Sequence, residues 1–213
     1  MKRIIITAAV IALISGCLPK SSNSDGTTDT NLVDTNLAIS IDTKGNPVHQ
    51  INAADSARIK VLRKGFIIIK DEFDVNDNQW LKPIDGPKYV NKNGVYSYFQ
   101  TNGGVATNLR FVIQYYSDDW LFIQKYMFSI DGEAFEYIPS EVKTDNGDGG
   151  MIWEWFDESA DENLKTIMKA IANSKSAKIK MVGRQYFDIK TVTSKQKESI
   201  KKTLELYKLL GGV

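Results

Sequence analysis

The chain has 213 residues, 27 Lys and Arg against 26 Asp and Glu, a formal net charge of +1, one cysteine and one histidine. A balance so close to neutral supplies no general basic field for nucleic acid or anionic lipid, and a single thiol excludes an internal disulfide framework and a Cys-rich zinc site. The length is enough for one domain of ordinary size whose core needs neither disulfide nor metal.

At the start of the chain, Lys2 and Arg3 precede an apolar run over residues 4–14, which is followed by Ser15, Gly16 and Cys17. This is the order of a secretory signal. As a helix the run rises about 16 Å, short of the roughly 30 Å of hydrocarbon that a stable span must cross. Ile14-Ser15-Gly16-Cys17 resembles the lipobox of bacterial lipoprotein precursors. The resemblance implies a signal peptide over residues 1–16, diacylglycerol on the Cys17 thiol, cleavage just before it and acylation of the new amine. It also implies that Leu18, standing where Asp favours retention in the inner membrane, sends the chain to the outer membrane of a Gram-negative host. Each buried methylene contributes about 0.8 kcal/mol, so several acyl chains hold a protein firmly to a bilayer. The competing reading, a secreted chain with an incidental Cys, leaves the position of the only thiol unexplained. Without Lys2 and Arg3 the mature chain carries 25 basic and 26 acidic side chains.

After Cys17, residues 17–37 are rich in Ser, Thr, Asn and Asp and poor in aromatics. They bury too little apolar surface to offset the entropy of ordering and read as a flexible tether, with a mean reach of roughly 25 Å. Residues 38–65 read as irregular with a short helix over 52–64, capped by Asn52, with Ile59 and Leu62 on one side and Gly65 as its stop. The folded domain is placed at 66–213, where the aromatics concentrate.

Within it, Gly65 and residues 66–69 are rich in β-formers, Asn93-Gly94 is a turn signal, 95–100 is strand-like, and residues 101–104 turn the chain again. In "NLRFVIQYY", Leu109, Phe111, Ile113 and Tyr115 share one face. Residues 120–130 sort polar from apolar less cleanly, as in a strand covered on both sides. Asp131-Gly132 suits a type I′ hairpin. The loop "KTDNGDGG" leads to a strand at 151–156. A helix follows, with Ser159 and Glu162 as a capping box, Leu164, Ile167, Met168 and Ile171 as its stripe, and Asn173 as its stop. Residues 177–182 form a strand. A last helix starts at the capping box Thr193/Gln196, buries Ile200, Leu204 and Tyr207, and ends at Gly211-Gly212. The expectation is an α+β fold: one antiparallel meander with two C-terminal helices packed on one face.

The chemistry is less legible. His49, the only histidine, lies in or near the tether, where a catalytic triad or histidine metal site has no shaped pocket, and no Gly-rich phosphate loop occurs. Neither nucleic acid nor a cofactor is expected. In "WEWFDE", a strand would put Trp153 and Trp155 on one face and Glu154 on the other beside Ile152 and Phe156. Paired acids next to aromatics suit glycoside cleavage or glycan binding, but aromatics are more often core, with Glu154 solvated or paired with a base such as Arg184. Asp74, Asn76 and Asn78 have EF-hand spacing but lack its Gly and Glu, and Asp145, Asn146 and Asp148 lie among turn-making glycines. "DDW" (Asp118, Asp119, Trp120) and "GRQYFD" (with Arg184 and Tyr186) make a polar and aromatic patch if the fold unites them, in the residue types that dominate protein recognition. The simpler alternative is turn-capping acids, an ion-paired Arg184 and aromatics filling a core edge. The reading is a lipid-anchored envelope protein whose domain binds another envelope protein without catalysis. The alternative is a glycan-binding or glycan-cleaving protein.

Overall fold

The computed structural model describes residues 52–213 except residue 77, together with the backbone of two short strands, β1 (Ser40–Ile41) and β2 (Pro47–Val48), which pair antiparallel. The expected signal peptide, Cys17, the tether and His49 lie outside the described residues.

Helix α1 (Ala53–Arg63) begins where the sequence predicts, with Asn52 Oδ1 accepting the Asp55 amide at 2.8 Å. Ile59 and Leu62 are buried in the main core, and Arg58 donates through Nε and Nη2 to Glu205 at 2.6 and 2.8 Å. This helix is therefore packed with the residues that follow it. Ten strands and two helices come next: β3 (Phe66–Lys70), β4 (Gln79–Pro83), β5 (Gly94–Asn102), β6 (Val105–Ser117), β7 (Lys125–Ile130), β8 (Glu133–Tyr137), β9 (Lys143–Asn146), β10 (Ile152–Ser159), α2 (Glu162–Asn173), β11 (Ala177–Val182), β12 (Phe187–Thr191) and α3 (Ser194–Leu209).

The fold is α+β and every strand pair is antiparallel. The expected single meander is corrected to two sheets, one of six strands in the order β3-β4-β5-β6-β10-β9 and one of four in the order β12-β11-β7-β8. The chain leaves the first sheet after Ser117, so the long β6 pairs with β10 from Arg110 to Ser117 while β7 pairs with β11. Residues 118–124 are this crossing and not the first half of a strand. Strand β7 is also covered on one side only: Tyr126, Phe128 and Ile130 are buried, whereas Met127 and Ser129 are exposed. The expected double cover came from reading the crossing and the strand as one element.

One face of the six-stranded sheet carries Leu81, Phe99, Phe111, Ile113 and Phe156, all at most 2% exposed. Part of it is covered by α3, whose Tyr207 ring meets Phe99 edge-on at 5.5 Å, and part by the second sheet, whose Tyr126 and Tyr137 rings lie 5.5 and 5.4 Å from that of Phe156. Helix α2 packs beside α3 and buries a stripe of Leu164, Ile167, Met168 and Ile171 in the same core.

Local grammar holds at the second capping box, where Thr193 Oγ1 accepts the Gln196 amide and Gln196 Oε1 accepts the Thr193 amide. The Asp131-Gly132 turn has φ of 49° and 92°, the left-handed pair that a type I′ hairpin requires. The first capping box is corrected: Asp161 caps α2 through the Leu164 amide at 2.7 Å. Ser159 ends β10, and its hydroxyl donates to Asn108 Oδ1.

Candidate functional site

Strand β10 carries the chemistry that "WEWFDE" suggested, sorted by its pleat. Ile152, Glu154 and Phe156 point into the core, while Trp153, Trp155 and Asp157 are half-buried on the opposite face. Glu154 is 0% exposed. Its Oε1 accepts the amides of Leu121 and Phe122 at 2.7 and 2.9 Å, and its Oε2 accepts that of Ile123 at 2.8 Å. The expectation of a solvated or Arg184-paired Glu154 is thereby corrected. An irregular segment entering a core brings amides that no strand partner satisfies, and one carboxylate, an acceptor with about four lone-pair sites, takes three of them.

The pinned segment adopts an unusual backbone. Phe122 has φ +53°, a conformation that bulky residues avoid and that costs of order 1–3 kcal/mol unless the surroundings over-determine it. Leu121 and Ile123, buried on either side, and the Glu154 contact supply that determination. As a result the Phe122 side chain is 47% exposed and stacks on Trp120, with centroids 5.5 Å apart and planes 12° apart.

The turn after β11 backs this pair. Arg184 N–H donates to the Leu121 carbonyl at 3.1 Å and Gln124 N–H to that of Val182 at 2.8 Å. Gly183 sits so close that a Cβ there would lie 2.0 Å from the Leu121 oxygen. The Arg184 guanidinium lies 5.2 Å from the Phe122 ring centroid, within cation–π range.

The fold thus unites the "DDW" and "GRQYFD" stretches. Asp118 and Asp119 are exposed, Trp120 is half-buried, and Arg184 and Tyr186 are exposed. Asp118 accepts the Ser117 hydroxyl at 3.2 Å, and the Asp119 carbonyl accepts that of Tyr115 at 3.3 Å. Among the described residues Arg184 forms no salt bridge, so the simpler expectation of an acid-paired arginine is replaced by one resting on an aromatic ring. Phe122, half turned into solvent, carries no sequence signal: its direction is set by Glu154, 32 positions away.

The outward face of the six-stranded sheet carries a second aromatic cluster, in which Tyr96 and Tyr98 are buried and Trp80 packs against them. Trp80 lies 5.3 Å from Tyr98, Tyr96 stacks on Tyr98 at 6.2 Å, and Tyr116 lies 6.5 Å from Trp153. Arg110 donates through Nε to Asp157 Oδ1 at 2.7 Å and through Nη2 to its carbonyl at 2.6 Å, and Tyr98 Oη donates to Asp157 Oδ2 at 2.8 Å. Burial, with the Asp157 charge behind it, pushes the Tyr96 hydroxyl up to about 12 and the Tyr98 hydroxyl upward as well. Both stay protonated at neutral pH.

Glycoside cleavage needs two acids flanking one bond. The sheet separates Asp157 from Glu154, and Glu158 is taken up by Tyr137 Oη at 2.7 Å and the amides of Ser140 and Glu141 at 2.7 and 3.0 Å. Each of these acids is hydrogen-bonded within the fold, and Asp157 and Glu158 line a shared cleft with Arg110 and Lys143. In the two suggested calcium stretches, Asp74 accepts the Asn76 amide and Asp145 the Asn146 amide. Among the described residues no three His, Cys, Asp or Glu side chains are grouped to hold a metal, and no helix is long and apolar enough to cross a membrane.

No protein-family model, curated protein or solved structure matches this chain.

Proposed function

We propose that this chain is a lipid-anchored envelope protein that binds another envelope protein, without catalysis, through Trp120, Phe122 and Arg184. The observation that carries the reading is Phe122: a large aromatic held at positive φ by a buried carboxylate and turned half into solvent. Backbone strain of this kind concentrates at binding and catalytic sites, and Trp, Tyr and Arg dominate the residues that carry binding energy in protein interfaces. Holding the loop before the partner arrives removes an ordering cost from association. The anchor at Cys17 and the outer-membrane destination rest on the lipobox-like sequence, and the tether gives the domain its reach. Helix α3, laid over part of one face of the six-stranded sheet, and α2, packed on α3, back the scaffold.

A second reading has its own support. Trp153 and Trp155 are half-exposed on a sheet face with Trp80, Tyr98 and the Arg110–Asp157 pair, an arrangement suited to stacking a sugar of the envelope polymer. Photocrosslinking amino acids at positions 122 and 155 of the full chain, in intact cells, separate the two. The proposal expects one protein adduct from position 122 that Arg184→Ala abolishes. No protein adduct there, with retention on peptidoglycan that Trp155→Ala removes, overturns it in favour of glycan binding.

A further inference from the structure

The cleft between α2 and α3 belongs to neither of these surfaces. Its volume is about 430 Å³, within the range of small-molecule sites. Leu109, Ala172, Leu204 and the Tyr207 ring give it an apolar floor, and Lys165, Lys169, Lys201 and Lys208 form its rim. Glu205 is the one acidic side chain in its lining, and it is turned to Arg58. Lys165 donates to Glu162 and to a backbone oxygen of Val213, each at 2.8 Å. Lys169, Lys201 and Lys208 are exposed and form no salt bridge among the described residues.

The surrounding charge matches. Residues 162–213 carry twelve Lys and Arg against four Asp and Glu, so the near-neutral total conceals a basic C-terminal segment balanced by acids elsewhere. Lys169 and Lys201 lie within electrostatic reach of Glu162 and Glu205, but three lysines without a salt bridge around an apolar floor suit a ligand with both properties. A free anion would leave the floor wet, and a neutral chain would leave the lysines unmatched.

We propose that this cleft binds an anionic phospholipid of the bilayer, with the phosphate on Lys169, Lys201 and Lys208 and one acyl chain along Leu204 and Tyr207. Lysine stems suit such a rim, since they lie along apolar surface while keeping the ammonium at the polar boundary. The proposal rests on neither reading of the aromatic surfaces and needs no anchor.

The test uses the chain from residue 17 with Cys17→Ser, which carries no acyl group; the core described above lies wholly within residues 52–213. Binding is measured to dihexanoyl-phosphatidylglycerol below its micelle concentration, to glycerol phosphate, and to phosphatidylcholine vesicles with and without phosphatidylglycerol. The lipid monomer and the anionic vesicles should bind, and glycerol phosphate and neutral vesicles should not. Lys169→Glu with Lys201→Glu should weaken both interactions by about tenfold or more. The same charge change at two exposed lysines outside the cleft, Lys143→Glu with Lys178→Glu, should leave monomer binding unchanged. Equal loss in both pairs, or vesicle binding without monomer binding, would reduce the effect to surface charge and overturn the proposal. Glycerol phosphate binding as well as the lipid would overturn it as a plain anion site.

Discussion

The two faces of β10 use the same residue types to opposite ends. Inward, Glu154 and Glu158 gather backbone amides from segments that have left the sheets, residues 121–123 and 140–141. Outward, Asp157 bonds side chains that stay within the sheet, those of Arg110 and Tyr98, and its neighbours Trp153 and Trp155 are half-open to solvent. An acid that collects amides fixes where a loop goes. An acid that collects side chains fixes only how a surface is textured, and the energetic consequences of losing each should differ accordingly.

Glu154→Ala is the strongest test of that difference. It leaves three amides without an acceptor, two of them on buried residues, at about 1–3 kcal/mol each, so urea unfolding should show a loss of about 3–6 kcal/mol. A loss under about 1 kcal/mol would mean that the loop finds other partners. Gly183→Ala comes next, because its Cβ meets the Leu121 carbonyl at 2.0 Å and the turn must move off the loop. The expected cost is about 2–3 kcal/mol, together with reduced protection of the Arg184 amide in hydrogen exchange.

On the outward face, Arg110→Ala should cost less, about 1–2 kcal/mol, because both partners of its ion pair are about a quarter exposed and water can replace it. A cost equal to that of Glu154→Ala would erase the distinction between the faces. The smallest effect is a pH dependence. Burial acts to raise the Glu158 carboxyl, but hydrogen bonds from Ser140, Tyr137 and the Glu141 amide outweigh it and hold it below the usual range. The unfolded chain then binds the proton more readily, so this contribution is present above the ordinary glutamate value of about 4.3 and fades as pH falls through the lower folded value. Glu158→Gln should flatten the stability curve in that acid window and leave its slope near neutral pH unchanged.

What the sequence made legible is what neighbours decide. Asn52 and the Thr193/Gln196 box could be placed because a cap and its amide are three residues apart, and Asp131-Gly132 because the turn is closed by the dipeptide itself. Pairing across the chain left no local trace: nothing in residues 105–117 says that their partner is β10 and not β7. The first capping box failed because β10 had already taken Ser159, which left Asp161 to cap α2. Within the candidate site, Trp120 and Arg184 were visible as residue types of recognition, and Trp153 and Trp155 as a shared face. The inward role of Glu154 and the presentation of Phe122 were not, because both depend on a contact more than thirty positions apart.

The proposed binding role requires the loop to be fixed before any partner arrives, and amide hydrogen exchange at Leu121, Phe122 and Ile123 in the free protein measures this directly. Protection matching that of the Phe111 and Phe156 amides in β6 and β10, lost in Glu154→Ala, is the predicted result. Exchange at the rate of an open loop in the unmodified protein would contradict it.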